Sequence, residues 1–87
     1  MRPLNYAILK LFENGDEMDV QGDMATLAGD YSGFRAFKAK AVNESLMSAE
    51  KNGLLEESNW GLDEKGELHV YYKVTDYGAD MIKGYIK

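Results

Sequence analysis

The feature that most constrains this chain is a change of hydrophobic period at Gly53. Before it, apolar residues recur every three or four positions in three blocks, the signature of amphipathic helices. After it, "LLEESNWGLDEKGELHVYYKVT" alternates in character, is rich in β-branched and aromatic residues, and is interrupted by the turn-forming "DEKG". A last helical block follows. Three helices leading directly into one hairpin and then a further helix leave few arrangements open to 87 residues.

The blocks carry their own boundary signals. In "RPLNYAILKLFEN", Leu4, Ala7, Ile8 and Leu11 form one stripe, Pro3 suits a first turn and Gly15 supplies the stop. Tyr6 and Leu9 are apolar outside that stripe, which makes this helix either central or a contact for a second chain. In "DVQGDMATLAGDYS", Asp19 is placed to cap a helix whose stripe is Val20, Met24, Leu27, Ala28 and Tyr31, with Gly29 predicted to end it. Ser32 is then predicted to cap a third helix over residues 34–52. The hairpin is expected to turn at Glu64 and Lys65, which sets Leu55 opposite Val74 and Glu57 opposite Tyr72, with Val70 on the same core side. On the other face Trp60 would meet His69, Ser58 would meet Tyr71 and Glu56 would meet Lys73. Thr75 is placed to cap the last helix, where Tyr77, Met81, Ile82, Tyr85 and Ile86 form a stripe wider than one packing face requires.

Composition narrows the class. Residues 1–87 are expected to form one domain, and the 45% hydrophobic content is that of an ordinary globular protein. There is no cysteine, hence no disulfide framework and no thiolate metal site. No apolar run approaches the ~20 residues needed to span a bilayer, and the start shows no cleavage region, so a cytoplasmic protein without a membrane partner is expected. The net charge of −5 favours solubility and argues mildly against nucleic acid. That charge is uneven: Glu13 to Asp30 holds acids and no base, whereas Arg35, Lys38 and Lys40 fall together in "FRAFKAK".

Three strings in order carry a resemblance. "MATLAGDYS" (24–32) resembles the second helix and turn of helix-turn-helix proteins. "VNESLMSAEKNGLLEES" resembles the end of the third helix and its Gly-Leu-Ile step into the hairpin in PadR- and MarR-like regulators. "YYKVTDYG" (71–78) resembles the end of the wing in the same regulators. The chain is also similar to small winged-helix proteins of phages and prophages that share a "YAILK"-like first helix. PadR proteins carry a longer C-terminal dimerisation region that this sequence lacks. The resemblance implies an α/β (α+β) winged helix-turn-helix of order α-α-α-β-β-α, with the third helix in the major groove of double-stranded DNA and the wing along the backbone.

On that third helix, Lys40, Asn43 and Met47 point away from the core face of Val42, Leu46 and Ala49. Lys40 and Asn43 can donate to phosphates or base edges. Arg35 and Lys38 are in phase with the core, so either the helix begins after Lys38 or both reach around its first turn. With Lys65 at the wing tip, Arg35, Lys38, Lys40 and Asn43 form the candidate DNA contacts. Against them stand Glu44 and Glu50 beside the helix face and Asp63, Glu64 and Glu67 around Lys65; the bases could equally be a solvated patch balancing acids such as Asp30. Trp60, His69 and Tyr71 form the candidate protein-contact patch on the outer face of the hairpin, and the first or last helix a candidate homodimer face. The alternative function is therefore an acidic winged-helix interaction module. No nucleophile turn, phosphate loop or calcium-loop rhythm is present; Asp16, Glu17, Asp19 and Asp23 suit a helix start better than a cation, and a lone His69 does not fix a metal. Neither an enzyme nor a cofactor is expected.

Overall fold

The computed structural model describes residues 2–86. Their order is α1 (Leu4–Lys10), α2 (Val20–Tyr31), α3 (Ala39–Lys51), β1 (Leu55–Leu62), β2 (Leu68–Val74) and α4 (Asp76–Tyr85). The first helix is shorter than expected. After Lys10 the chain tightens into turns in which Leu11 N–H donates to Ile8 O and Phe12 N–H to Leu9 O, which drives Phe12 fully inward. Gly15, at φ 86°, then turns the chain away.

Two side-chain caps act where the sequence places them. Asp19 accepts from Gly22 N–H at 2.8 Å, and Thr75 accepts from Gly78 N–H at 2.9 Å. Gly29 does not end α2, which continues to Tyr31, and Ser32 closes that helix in αR geometry rather than opening the next. Nothing at Gly29 requires a left-handed turn, so the helix runs through it.

The core forms where the apolar faces meet. Ile8, Phe12, Val42, Leu46 and Leu55 are almost completely buried, joined by Leu27, Tyr31, Ala49 and Tyr72. Burying side chains of this size stabilises the fold by about 1.5–3 kcal/mol apiece before conformational entropy is subtracted. Asp23 is as buried as any of them.

The step from α3 to the hairpin is locked by the Thr-x-x-Gly of α4. Gly53 ends the third helix at φ 78°, and Leu54 follows. Thr75 hydroxyl donates to Gly53 O at 2.6 Å, while Thr75 N–H donates to Leu54 O at 3.1 Å. Gly78 lies so close that a Cβ there would stand 1.9 Å from Leu54 O. The glycine is required by this approach of two backbones.

The hairpin register follows expectation at its root and departs from it beyond Glu57. Leu55 opposes Val74, Glu56 opposes Lys73 and Glu57 opposes Tyr72. Then Ser58 bulges, so that Asn59 opposes Tyr71, Trp60 opposes Val70 and Gly61 opposes His69. At the far end Gly66 N–H donates to Asp63 O with Gly66 at φ 79°, a turn that inserts one extra residue on the β2 side. The two one-residue irregularities lie on opposite strands and cancel at the root. The pairings of Trp60 with His69 and of Ser58 with Tyr71 are therefore corrected.

A further edge was not visible in the sequence. Met18 and Tyr72 exchange both backbone hydrogen bonds, at 3.1 and 2.8 Å, and so add a one-residue third rung beside β2 just before α2 begins. No helix among the described residues is long and apolar enough to cross a membrane.

Candidate nucleic-acid interface

The basic cluster is presented by a turn, not by one continuous helix. Phe34 N–H donates to Tyr31 O, Phe37 N–H to Phe34 O and Lys38 N–H to Ala36 O, which coils residues 34–38 outside α3. The aromatic residues explain why. Phe34 packs edge-on against Tyr31 at 5.2 Å between ring centres, and Phe37 lies 6.5 Å from the same ring. Both rings serve as anchors on α2, so the intervening Arg35 is pushed into solvent. Lys38 then has extended backbone, φ −135° and ψ 150°, and immediately precedes α3.

This settles the phase conflict on the third helix. Arg35 and Lys38 lie before the helix and are not bound by its wheel. Lys40 lies in the first turn, and all three side chains are exposed. No ion pair among the described residues joins Arg35, Lys38 or Lys40 to a carboxylate. They surround the start of α3, where free amide groups and the helix dipole add to the positive potential. One turn on, Asn43 is exposed and donates weakly to Met47 Sδ at 3.5 Å.

Beside α3 stands the distal hairpin. Ala39 and Asn43 share an open cleft with Glu67, Leu68 and Val70. Lys65 is exposed at the tip. Beside it Asp63 is fully engaged, while Glu64 and Glu67 stay exposed. One Asp63 oxygen accepts from Lys65 N–H and Glu67 N–H, both at 2.9 Å, and the other meets His69 Nε2 at 2.9 Å. The His69 hydrogen bond, followed by the backbone donors, holds the Asp63 carboxyl below its ordinary range.

The expected outer patch of Trp60, His69 and Tyr71 is not one surface. Directly opposed residues share a face, so Trp60 lies with Val70, whereas His69 lies with Gly61 and Tyr71 with Asn59 on the reverse. The Ser58 bulge causes this rotation. Trp60 is 69% exposed, and Leu62 and Leu68 are nearly as open. His69 is largely enclosed: its Nδ1 lies 2.7 Å from Asp19 Oδ2, opposite the Asp63 contact. Sequence reasoning missed both carboxylate partners, one of which is 50 positions away.

Asp23 was also missed as a buried acid. Neither of its carboxylate oxygens has a hydrogen-bond partner among the described residues. Burial, reinforced by the charge of Asp19, pushes its pKa up to about 7. The signal was available, since Asp23 falls in phase with Val20, Leu27 and Tyr31 on the inward stripe.

With this geometry in place, solved structures supply the comparison. Superposition on PadR of Bacillus subtilis, crystallised with operator DNA, gives a TM-score of 0.78 over 99% of this chain and 48% of that one, at 21% identity. The fold is a winged helix. A PadR-like transcriptional regulator from Bacillus cereus superposes with a TM-score of 0.69, 20% identity, and coverage of 93% of this chain and 75% of that one. A protein assigned as a transcriptional regulator in Thermoplasma acidophilum gives 0.74, 17% identity, and coverage of 95% and 76%. The winged helix described here thus spans about half the length of the Bacillus subtilis protein. No family model and no curated protein sequence matches the chain. The neighbours are winged-helix regulators rather than enzymes.

Proposed function

We propose that this protein is a DNA-binding transcriptional regulator that places α3 in the major groove. The observation that carries the reading is the set of three exposed, unpaired bases around the start of α3, in a fold whose Bacillus subtilis neighbour was crystallised on operator DNA. Lys40 and Asn43 face the groove, Arg35 and Lys38 hold phosphate on one side of it, and Lys65 reaches the backbone from the wing. Two copies meet through α1 and α4, where Tyr6, Leu9, Met81 and Tyr85 line an open apolar cleft and Tyr85 is 75% exposed.

Fluorescence anisotropy with a random duplex at low ionic strength tests this directly. Retention should weaken steeply with salt, by a logarithmic slope of about −0.9 for each phosphate contact. Lys38→Ala and Arg35→Ala should each reduce that slope by about one unit while far-UV circular dichroism stays unchanged. Absence of retention on any duplex at low salt refutes the reading.

A second reading is a protein-interaction module. It is favoured by the net charge of −5 and by Trp60, Leu62 and Leu68 standing exposed on the distal hairpin. Trp60→Ala would then abolish partner capture, whereas Lys38→Ala would not.

A further inference from the structure

His69 has a carboxylate oxygen against each ring nitrogen, Asp19 at 2.7 Å and Asp63 at 2.9 Å. A neutral imidazole carries one N–H and one lone pair, so it can donate to only one of these carboxylates. The other contact would set lone pair against lone pair. With both carboxyls ionised, both contacts are hydrogen bonds only when the ring is an imidazolium.

Each carboxylate is itself tied to backbone. Asp19 caps α2 through its other oxygen, and Asp63 holds the tip turn through its own. One protonated ring therefore joins the start of α2 to the tip of the wing. Beyond Val70 the hairpin leaves the core, with Leu62 at 66% and Leu68 at 60% exposure, and the Met18–Tyr72 rung lies nearer the root.

We propose that His69 is a positioning residue for the wing: its imidazolium holds the tip that carries Lys65 at a fixed place beside α3, and loss of its proton frees that tip. The consequence for DNA rests on the regulator reading; the tether itself does not. The surroundings favour the proton. Asp19 faces the ring from the N-cap of α2, Asp63 and Glu67 from the turn before β2 and Tyr71 from β2, while α3 contributes the uncharged Asn43. Among the described residues, no lysine or arginine lines the clefts on either side of the ring. The hydrogen bonds to Asp63 and then Asp19 raise the His69 pKa above the ordinary 6.5, outweighing partial burial. The tether is therefore closed at mildly acidic pH and opens as pH rises through that raised value.

Nuclear magnetic resonance of the full chain tests the tether without DNA. His69 should show both ring nitrogens protonated below a midpoint lying above that of free imidazole. The amides of Gly22, Lys65 and Glu67 should shift with the same midpoint, and exchange at 63–68 should accelerate severalfold above it. In His69→Gln the tip should exchange fast at every pH while the amides of Leu46 and Tyr72 stay protected, which certifies the fold. A midpoint at or below the free value, tip amides that ignore it, or a His69→Gln tip as protected as the wild type would overturn the proposal. On duplex, wild-type affinity should fall severalfold across the midpoint and that of His69→Gln should be flat; retention of duplex with no such step also overturns it. Tip amides that track His69 in a protein that retains no duplex at any pH support the tether and refute the regulator reading alone.

Discussion

Asp23→Asn removes one charge from the interior of this protein and should make it more stable at neutral pH than the wild type. Asp23 is completely buried, and neither carboxylate oxygen has a partner among the described residues. Its pKa of about 7 in the fold compares with 3.8 for an unperturbed aspartate. Because the folded value is raised, the neutral acid is the form the fold prefers. Its stabilising contribution is fully present below pH 3.8, is lost progressively as pH rises towards 7, and is absent above that. Each tenfold change in proton affinity corresponds to about 1.4 kcal/mol, so the whole decline amounts to roughly 4 kcal/mol. That is a large part of the ~4–13 kcal/mol expected for a domain of this length. Urea denaturation followed by far-UV circular dichroism at pH 5, 6, 7 and 8 measures the effect. The wild type should lose stability across this series, whereas Asp23→Asn should lose much less. His69, also raised, loses its stabilising contribution as pH climbs above 6.5, in the same direction, so the difference between the two proteins isolates Asp23. Asp23→Leu removes the unpaired polar atoms as well and should be the more stable variant at pH 8. Parallel stability curves for wild type and Asp23→Asn from pH 5 to 8 would refute the reasoning.

Four other outcomes follow from the packing. Gly78→Ala should destabilise the protein by about 2–4 kcal/mol in thermal or urea melts, because the new Cβ collides with a Leu54 carbonyl already bonded to Thr75. On the same helix, Gly84→Ala meets nothing within 4 Å and should stabilise by about 0.5–1 kcal/mol. Asp19→Ala removes the α2 cap together with one His69 partner, so it should cost about 1–2 kcal/mol at pH 6 and less at higher pH, once the ring has lost its proton. Trp60, the only tryptophan, is 69% exposed, so its emission should be that of a hydrated indole in the folded protein and change little on unfolding; a strong red shift in urea would contradict the assigned hairpin register.

Much of this molecule was legible from local chemistry. The order of elements, the caps at Asp19 and Thr75, the stop at Gly53 and the inward face of Val42, Leu46 and Ala49 depend on residues within a turn or two of one another. Period and capping encode such features directly. Of the candidate interface, the identity and exposure of Lys40 and Asn43 were legible for the same reason. The start of α3 was not, because Phe34 and Phe37 look like helix residues until Tyr31 is available to hold them. The face of Trp60 depends on a bulge at Ser58 offset by an extra residue at Gly66, two irregularities that leave the root pairing unchanged and so give no sign in the alternation. His69 acquires its role only when the N-cap of α2 and the tip of the wing converge on its two nitrogens. Asp23 becomes an acid near neutrality only when the core closes over it. Sequence alone specified what each segment would become and which side it would bury. Tertiary structure decided which distant groups meet, because hydrogen-bond partnership and desolvation exist only once separate elements are packed together.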